Sequence, residues 1–377
     1  MTVPMAASHS AGVPVPDLPG GLQTPCLVVD LDVVERNARR LQEELNRRGV
    51  RLRPHVKTHK SVALARLQLE SGATGLTVGT LGEAEVMAAA GLNDLFLAYP
   101  LWAEGAKAAR LRALHEAIGL IVGVDSRAGA ERFAAAVAGT KRPLRVVIEL
   151  DSGGHRTGAG SPEGAAAIAL AARDLGLHVE GVFTHGGHSY ASPDAHSTAA
   201  VDEVRTLGAA ADALGGAGVP VQTISAGSTP TAVDAATGQV NEIRAGTYLL
   251  GDQMQLALGS IPQDGVALHV AATVVSTTVP GQVVLDAGAK CLTKDVAPYV
   301  DGHGFLPAYP AAVIERVNDY HGIVRIPEGS AAPALGEIVA IIPNHVCPVV
   351  DLFDSFVAVR GGVMVDRWPV DARGRSA

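Results

Sequence analysis

From residue 51 onward, short runs of aliphatic and β-branched residues alternate with alanine-rich stretches whose apolar positions recur at helical spacing. The runs fall at residues 51–56, 75–79, 94–99, 119–124, 144–150, 179–184, 221–225 and 241–244. Helical patterns at 82–90, 104–115, 162–175 and 195–214 fill most of the gaps, the signature of parallel βα units. Eight such units predict a closed (β/α)8 TIM barrel, with an open doubly wound sheet as the alternative.

After Val266 the period changes. Residues 268–278, 282–286, 337–342, 355–360 and 362–365 are β-branched runs broken by Gly and Pro, which predicts an all-β C-terminal domain. A strand within 24–31 and a helix at 33–48 precede the barrel pattern, and that strand is expected to pair with the β domain. The organisation expected is a flexible arm over 1–23, a barrel domain over 24–264 and a β domain over 265–377.

Composition narrows the class without naming the chemistry. Among the 377 residues, 47% are hydrophobic, 18% charged and 43 are glycine, as in a soluble, turn-rich α/β enzyme. A net charge of −8 with no basic run speaks against nucleic acid as a partner, because phosphate backbones are bound by clustered Lys and Arg. Three scattered cysteines, Cys26, Cys291 and Cys347, predict no disulfide framework and a reducing compartment, the cytoplasm. The start of the chain lacks the basic and apolar regions of a secretion signal, and no apolar run reaches the roughly 20 residues that span a bilayer, so no membrane partner is expected.

Polar clusters follow the predicted strands, and the C-terminal ends of barrel strands are where barrel active sites lie. Lys57, after the first strand, is a residue type that joins carbonyl cofactors covalently, or else one of several surface lysines. After the fifth strand, the glycine-rich loop 149–158 offers Arg156 to a phenolate or carboxylate oxygen; the alternative is a helix-entry turn with a solvated arginine. After the sixth, His185 and His188 stand three apart in a Gly-Gly loop, where a flat imidazole against a cofactor ring fits better than a metal pair, and Tyr190 offers a hydroxyl. Gly227, Ser228 and Thr229 form a turn entering a predicted short helix, with backbone N–H groups and hydroxyls for an anion. Gly246 and Tyr248 follow the eighth strand, and two such turns in succession make the usual barrel phosphate site. In the β domain, His345 and Cys347 would share one face of a strand and chelate one ion, or form a buried cysteine beside a structural histidine.

Together these residues resemble the fold-type III pyridoxal-phosphate enzymes, which share an alanine racemase-like barrel, and more closely the D-serine dehydratase and D-threonine aldolase family. The most specific pieces are Arg-Pro-His-Val-Lys-Thr-His-Lys at 53–60 and Asn-His-Val-Cys-Pro at 344–348. The resemblance implies that Lys57 carries pyridoxal 5'-phosphate, Arg156 bonds its ring oxygen and His185 stacks on the ring. It also implies that Gly227, Ser228, Thr229, Gly246 and Tyr248 hold the phosphate, and that His345 and Cys347 hold a divalent metal. Imidazole with thiolate suits zinc, with Mn or Mg as alternatives. The segment 286–290 matches a recurrent stretch of the family to which no role is assigned.

The activity implied is a lyase acting on a D-3-hydroxy amino acid, such as D-serine or D-threonine, by β-elimination to a 2-oxo acid and ammonia. Family dehydratases resemble this chain in carrying His-x-Cys, whereas the aldolases show His-x-Asp. Retro-aldol cleavage to glycine and an aldehyde is the alternative. A racemase would need a second base, with Tyr299, Tyr309 and Tyr320 as candidates, and would leave His345 and Cys347 without a purpose. A non-catalytic pyridoxal-phosphate carrier would need no β domain. A homodimer with shared sites is the assembly that the resemblance implies.

Overall fold

The structure, a computed structural model, describes residues 12–377. Its chain folds as two compact units. One takes the described residues up to Arg40, Thr58–Ala63 and Thr247–Arg373; the other takes Leu41–Lys57, Leu64–Gly246 and Gly374–Ala377. The division differs from the expected cut at 264/265 because the first strand and first helical turns are bonded into the β unit. Asn37 donates to the carbonyls of Leu249 (3.1 Å) and Gly265 (2.8 Å). Of the expected arm over 1–23, residues 1–11 lie outside the described residues. Beyond them the chain is packed: Val13 is buried against Leu256, Ile261, Val266 and Ile342, and Leu18 and Leu22 cover a cluster containing Cys26 and Val357.

In chain order, β1 (Cys26–Asp30) and α1 (Leu31–Arg47) precede eight parallel strands. These are β2 (Arg51–Leu52), β3 (Leu76–Val78), β4 (Asp94–Leu97), β5 (Gly119–Val124), β6 (Arg145–Leu150), β7 (His178–Thr184), β8 (Thr223–Ala226) and β9 (Glu242–Ile243). Helices α2 (Val62–Glu70), α3 (Leu81–Ala89), α4 (Ala106–Ala117), α5 (Arg127–Ala136), α6 (Pro162–Asp174) and α7 (Ala195–Gly216) alternate with them. Their starts are written locally. Thr80, Ser126 and Ser161 each accept the amide three residues on, and Pro162 fills the first turn of α6, where its missing N–H costs nothing.

The strand order β2-β9-β8-β7-β6-β5-β4-β3 closes on itself. His55 bridges Thr77 in parallel, with Thr77 N–H on Pro54 O at 2.8 Å and Thr74 N–H on Leu52 O at 2.9 Å. The barrel is therefore shut, and the open sheet is not formed. Phe96, Ile121, Val147 and Phe183 fill one interior cluster, the two rings meeting edge to face at 5.1 Å. Gly123 makes room for them: a Cβ there would lie 2.7 Å from the Phe183 ring.

A line of buried polar groups runs through the same barrel. Arg53 Nε donates to Glu242 Oε2 (2.9 Å), Ser225 Oγ donates to Glu242 Oε1 (2.7 Å), and Arg244 donates to Ser225 Oγ (2.6 Å) and to Thr184 O. The Arg244 guanidinium also lies over Phe96 and Phe183, 5.6 and 5.1 Å from their centroids.

The β unit continues with α8 (Gln253–Ala257), β10 (Leu268–Ser276), β11 (Gln282–Leu285), α9 (Ala289–Leu292), β12 (Val313–Val317), β13 (Gly322–Arg325), β14 (Ile338–Ile341), α10 (Val346–Val350), β15 (Ser355–Arg360) and β16 (Val363–Pro369). The order is β12-β13-β11-β10-β1-β15-β16, with β14 also on β10. The pairings are antiparallel except β1 with β15, so the expected pairing of the early strand with this sheet is the one formed. The hairpin β12–β13 has no counterpart in the sequence reading. A register shift between Ile314 and Arg316 breaks its alternation, and Glu315 and Arg316 face solvent. Among the described residues no helix is long and apolar enough to cross a membrane.

Burial raises the Glu242 carboxyl's pKa, but the Arg53 charge and the Arg53 and Ser225 hydrogen bonds outweigh this and hold it below the usual carboxylate range. A folded value below the unfolded one gives stability that is complete above the unfolded carboxylate range and lost as pH falls through the folded value. Glu242→Ala removes the buried partner of Arg53 and leaves it the half-exposed Asp94 at 2.8 Å, and is expected to cost about 1–3 kcal/mol at neutral pH. Urea unfolding checks this, and the deficit against wild type should shrink on acidification. A neutral-pH loss below about 1 kcal/mol would mean that the pair behaves as an exposed one.

Candidate active site

Pro54 keeps the chain extended past β2, where Arg53 and His55 still donate to Ile243 O and Ala245 O at 2.9 and 3.0 Å. A single 3-10 turn, Val56–Thr58, then carries Lys57. Its side chain is exposed, whereas those of Val56, Thr58, His59 and Lys60 are buried, and Lys60 is bound to Asp351 at 2.8 Å. Lys57 is thus not one of a cluster of surface lysines.

After β6, Asp151 organises the glycine-rich loop. Oδ1 accepts the amides of Gly153 (2.9 Å) and His155 (3.0 Å), and Oδ2 faces the His155 ring at 3.0 Å. Burial works against the charge of Asp151, but these bonds keep its pKa below the usual range. Arg156 follows, exposed. Glu149 lies buried at the end of the strand, with Oε1 accepting from Thr157 Oγ1 at 2.8 Å; burial raises its pKa against that bond and the Arg156 and Arg244 charges.

After β7, His185 is half-buried and Tyr190 lies beside it, the ring centroids 6.4 Å apart and tilted by 37°. Burial, then the charges of Lys57, Arg156, Arg244 and His188, hold the His185 pKa well below 6.5. The ring is a neutral, flat surface at physiological pH. His188 turns instead to Asp202, at 3.3 Å. Among the described residues no group of three or more His, Cys, Asp and Glu is arranged to hold a metal, and the His185–His188 pair is not one.

The turn after β8 departs from expectation. Gly227 takes a left-handed φ of +87°, and a Cβ there would lie 3.0 Å from Ile243. Its N–H donates to Glu203 Oε1 at 3.1 Å, and the Ser228 N–H donates to Thr231 Oγ1 at 2.9 Å. Those two amides, expected to face an anion, are engaged internally, and turns rather than a short helix follow. The hydroxyls of Ser228 and Thr229 and the buried turn at Gly246 are the remaining features for a phosphate. The barrel unit thus gathers Lys57, Arg156, His185, Tyr190, Gly227, Ser228, Thr229 and Gly246 on the loops at the C-terminal ends of its strands.

Tyr248, His345 and Cys347 belong to the β unit, where Tyr248 is buried within the 3-10 turn Thr247–Leu249. The segment 344–348 is not the strand that the sequence suggested: β14 stops at Ile341, and His345 is the N-cap of α10. The two side chains nonetheless lie close enough for Cys347 to raise the His345 pKa. The Cys347 Sγ also donates to Thr58 Oγ1 at 3.3 Å, with Thr247 Oγ1 at 3.9 Å. His345 Nδ1 faces Asp295 Oδ2 at 2.9 Å, which leaves Nε2 for another partner. Burial would lower the His345 pKa; the Cys347 hydrogen bond and charge, with the Asp252 and Asp295 carboxylates, push it up to about 9.

Two acids that the sequence reading did not single out, together with Asn344, set these loops. Asp252 accepts Gln255 N–H (2.8 Å) and Val346 N–H (3.0 Å), fixing the entry of α10, and burial raises its pKa to about 6. Asn344 donates to the carbonyls of Asp295 (2.9 Å) and Gly302 (2.8 Å), anchoring the loop that carries Asp295. Glu203 joins the His185 and Gly227 loops. Only Asp252 had a visible signal, as an N-cap acid.

An exposed amine, a guanidinium, a neutral flat ring and a glycine-only turn with hydroxyls fit a phosphorylated aromatic aldehyde. One imidazole and one thiol close together fit a borderline-soft divalent ion with positions left open.

The sequence profile described as "Alanine racemase, N-terminal domain" matches residues 29–254, and "Putative serine dehydratase domain" matches residues 267–359. The chain is 35% identical over 368 residues to the D-threo-3-hydroxyaspartate dehydratase of Delftia sp. (strain HT23), covering 92% of this chain and 97% of the relative. The structure of D-threonine aldolase from Filomicrobium marinum matches with a TM-score of 0.87 at 31% identity, over 94% of this chain and 97% of that one. A D-threo-3-hydroxyaspartate dehydratase solved as a cysteine-to-alanine variant in the metal-free form matches at 0.83 with 35% identity, over 93% and 97%. Its histidine-to-alanine variant matches at 0.83 with 36% identity, over 93% and 95%. The fold is that of an alanine racemase-like barrel with a C-terminal β domain. The chain belongs to the fold-type III pyridoxal-phosphate family of the D-serine dehydratases and D-threonine aldolases.

The surroundings of His185 predict its titration. Its ring resonances should show the neutral form down through pH 6.5 and shift only in more acidic solution. An NMR midpoint at or above 6.5 would mean that the ring is solvated rather than packed.

Proposed function

We propose that this protein is a pyridoxal-phosphate- and metal-dependent lyase that eliminates the β-hydroxyl of a D-3-hydroxy amino acid, such as D-serine or D-threonine, to give a 2-oxo acid and ammonia. The observation that carries the reading is the proximity of His345 and Cys347, an imidazole and a thiol close enough for the thiol to raise the imidazole's pKa. In the relative solved as two variants, the replaced histidine and cysteine stand two positions apart, the spacing of this pair, and the cysteine variant was solved in the metal-free form.

Pyridoxal phosphate, when bound, supplies the electron sink that makes the substrate Cα–H acidic. The Lys57 amine, exposed on its 3-10 turn, holds the cofactor and then receives the proton from Cα. Arg156 bonds the ring oxygen, and a neutral His185 covers one ring face without adding charge. Tyr190 contributes its hydroxyl beside them. The hydroxyls of Ser228 and Thr229, with Gly246 and Tyr248, would hold the phosphate, and Gly227, whose N–H is taken by Glu203, would shape the turn. A divalent ion on His345 and Cys347 supplies Lewis acidity to the β-oxygen, which otherwise leaves with difficulty. Zinc suits this donor pair, ahead of manganese or magnesium. A cytoplasmic homodimer completes the proposal.

Retro-aldol cleavage is the second reading, favoured by the 31% identity to the aldolase structure. There the β-O–H proton is removed and the Cα–Cβ bond breaks. Product analysis separates the two. Cofactor- and zinc-loaded protein is expected to give pyruvate from D-serine or 2-oxobutyrate from D-threonine, each with ammonia. Glycine with acetaldehyde from D-threonine would replace elimination by the aldolase reading. Lys57→Ala should lower kcat by at least about a thousandfold. Chelation should abolish turnover and zinc restore it, and activity indifferent to chelator would remove the metal from the proposal.

A further inference from the structure

Glu203 is fully buried on α7, and its side chain touches neither Lys57, Arg156 nor the metal pair in any hydrogen bond. Oε1 instead accepts two backbone amides from different loops, Gly186 N–H at 2.8 Å and Gly227 N–H at 3.1 Å. One amide follows His185 directly, and the other opens the Gly227–Ser228–Thr229 turn. The approach is too close for any side chain, since a Cβ on Gly186 would sit 2.9 Å from Glu203 Cδ. A second contact joins the same loops, Ser189 Oγ to Ser228 Oγ at 3.2 Å, and Ser228 is braced by Thr231 at 3.1 Å. Burial raises the Glu203 pKa, while the Thr231 hydroxyl, the two amides and the Arg244 charge act in the opposite sense.

Resting on the cofactor reading above, we propose that Glu203 is a positioning residue that fixes the spacing between the surface for the cofactor ring at His185 and the phosphate turn at Gly227. A rigid ligand touching both loops gains affinity only if their separation is already set before it arrives. A ligand touching one loop gains nothing from that spacing. Glu203 therefore acts on the preference for pyridoxal 5'-phosphate over pyridoxal, which carries the ring and aldehyde but no phosphate. The side chain does this without touching either, by holding one amide of each loop, Gly186 N–H and Gly227 N–H.

The test is equilibrium binding of the two compounds to full-length apoprotein, followed by the visible absorbance that appears on binding, for wild type, Glu203→Ala and Glu203→Gln. The quantity read is the ratio of the pyridoxal Kd to the pyridoxal 5'-phosphate Kd. Glu203→Ala is expected to lower this ratio at least about tenfold, equivalent to about 1.4 kcal/mol. Glu203→Gln keeps an acceptor oxygen for both amides and is expected to stay within about threefold of wild type. Gly186→Ala disturbs the same contact from the loop side and should lower the ratio too, which keeps the test decisive if Glu203→Ala does not fold. An unchanged ratio, whether both affinities hold or both fall together, overturns the positioning role and leaves a general structural one. Wild type that binds pyridoxal 5'-phosphate no better than pyridoxal overturns the cofactor reading itself, and the inference with it.

Discussion

The interior of the barrel has to accommodate two buried arginines, and how it does so conditions the rest of that unit. Arg53 and Arg244 cannot keep their charge in an apolar core without partners, because removing an unpaired cation from water costs far more than packing returns. Glu242 answers Arg53 directly and Arg244 through Ser225, and Asp94 at the barrel's rim adds a second carboxylate to Arg53 at 2.8 Å. The Phe96 and Phe183 rings face the Arg244 guanidinium, and its other bond ends on Thr184 O, the last strand residue before the His185 loop. The position of that loop thus depends on a charge balance set deep within the strands. Burial lowers the pKa of Arg244, and Glu242, Glu203 and Glu149 counteract the shift.

A second regularity concerns how functional loops are closed. Asp151 takes two amides of the loop that presents Arg156, Glu203 takes one from each of two loops, and Asp252 takes one at α8 and one at α10. In each case an acid that performs no chemistry satisfies backbone donors that irregular chain would leave bare. Charge-assisted bonds of this kind are stronger than neutral ones and fix direction as well as distance. Side chains on loops fixed in this way can stand outward, as the exposed Arg156 does.

The choice between elimination and cleavage is a narrower matter than the fold. A dehydratase and an aldolase match this chain at 35% and 31% identity, so overall similarity does not discriminate between them. Both reactions need an amine, an electron sink and an ion on the β-oxygen. They diverge in which proton is taken first, from Cα or from the β-hydroxyl. On the proposed reading that decision belongs to a few atoms around the β-carbon, and position 347 holds a thiol where the resemblance leads one to expect a carboxylate in an aldolase.

What the sequence made legible follows from range. The eight βα units were visible because parallel strands buried on both faces read as continuous apolar runs, and because caps such as Ser126, Ser161 and Pro162 are local signals. Lys57, Arg156, His185 and the glycine turns became candidates for the same reason, since each sits at the end of such a run. Segment 344–348 was misread as a strand. The alternation that His345 and Cys347 shared with one was accidental, and the true cause of their geometry is the Asp252 carboxylate, 94 residues away in the chain. Glu203 was invisible in the same way. It lies on a helix among alanines and valines, and nothing nearby distinguishes an acid facing water from one facing two glycine amides, 17 and 24 residues distant. The Gly227 turn shows the consequence: its composition announced free N–H groups, and only the fold reveals that a distant carboxylate had already claimed one of them. Local composition therefore locates a reactive loop, whereas the groups that aim it are long-range partners that emerge only when the chain closes.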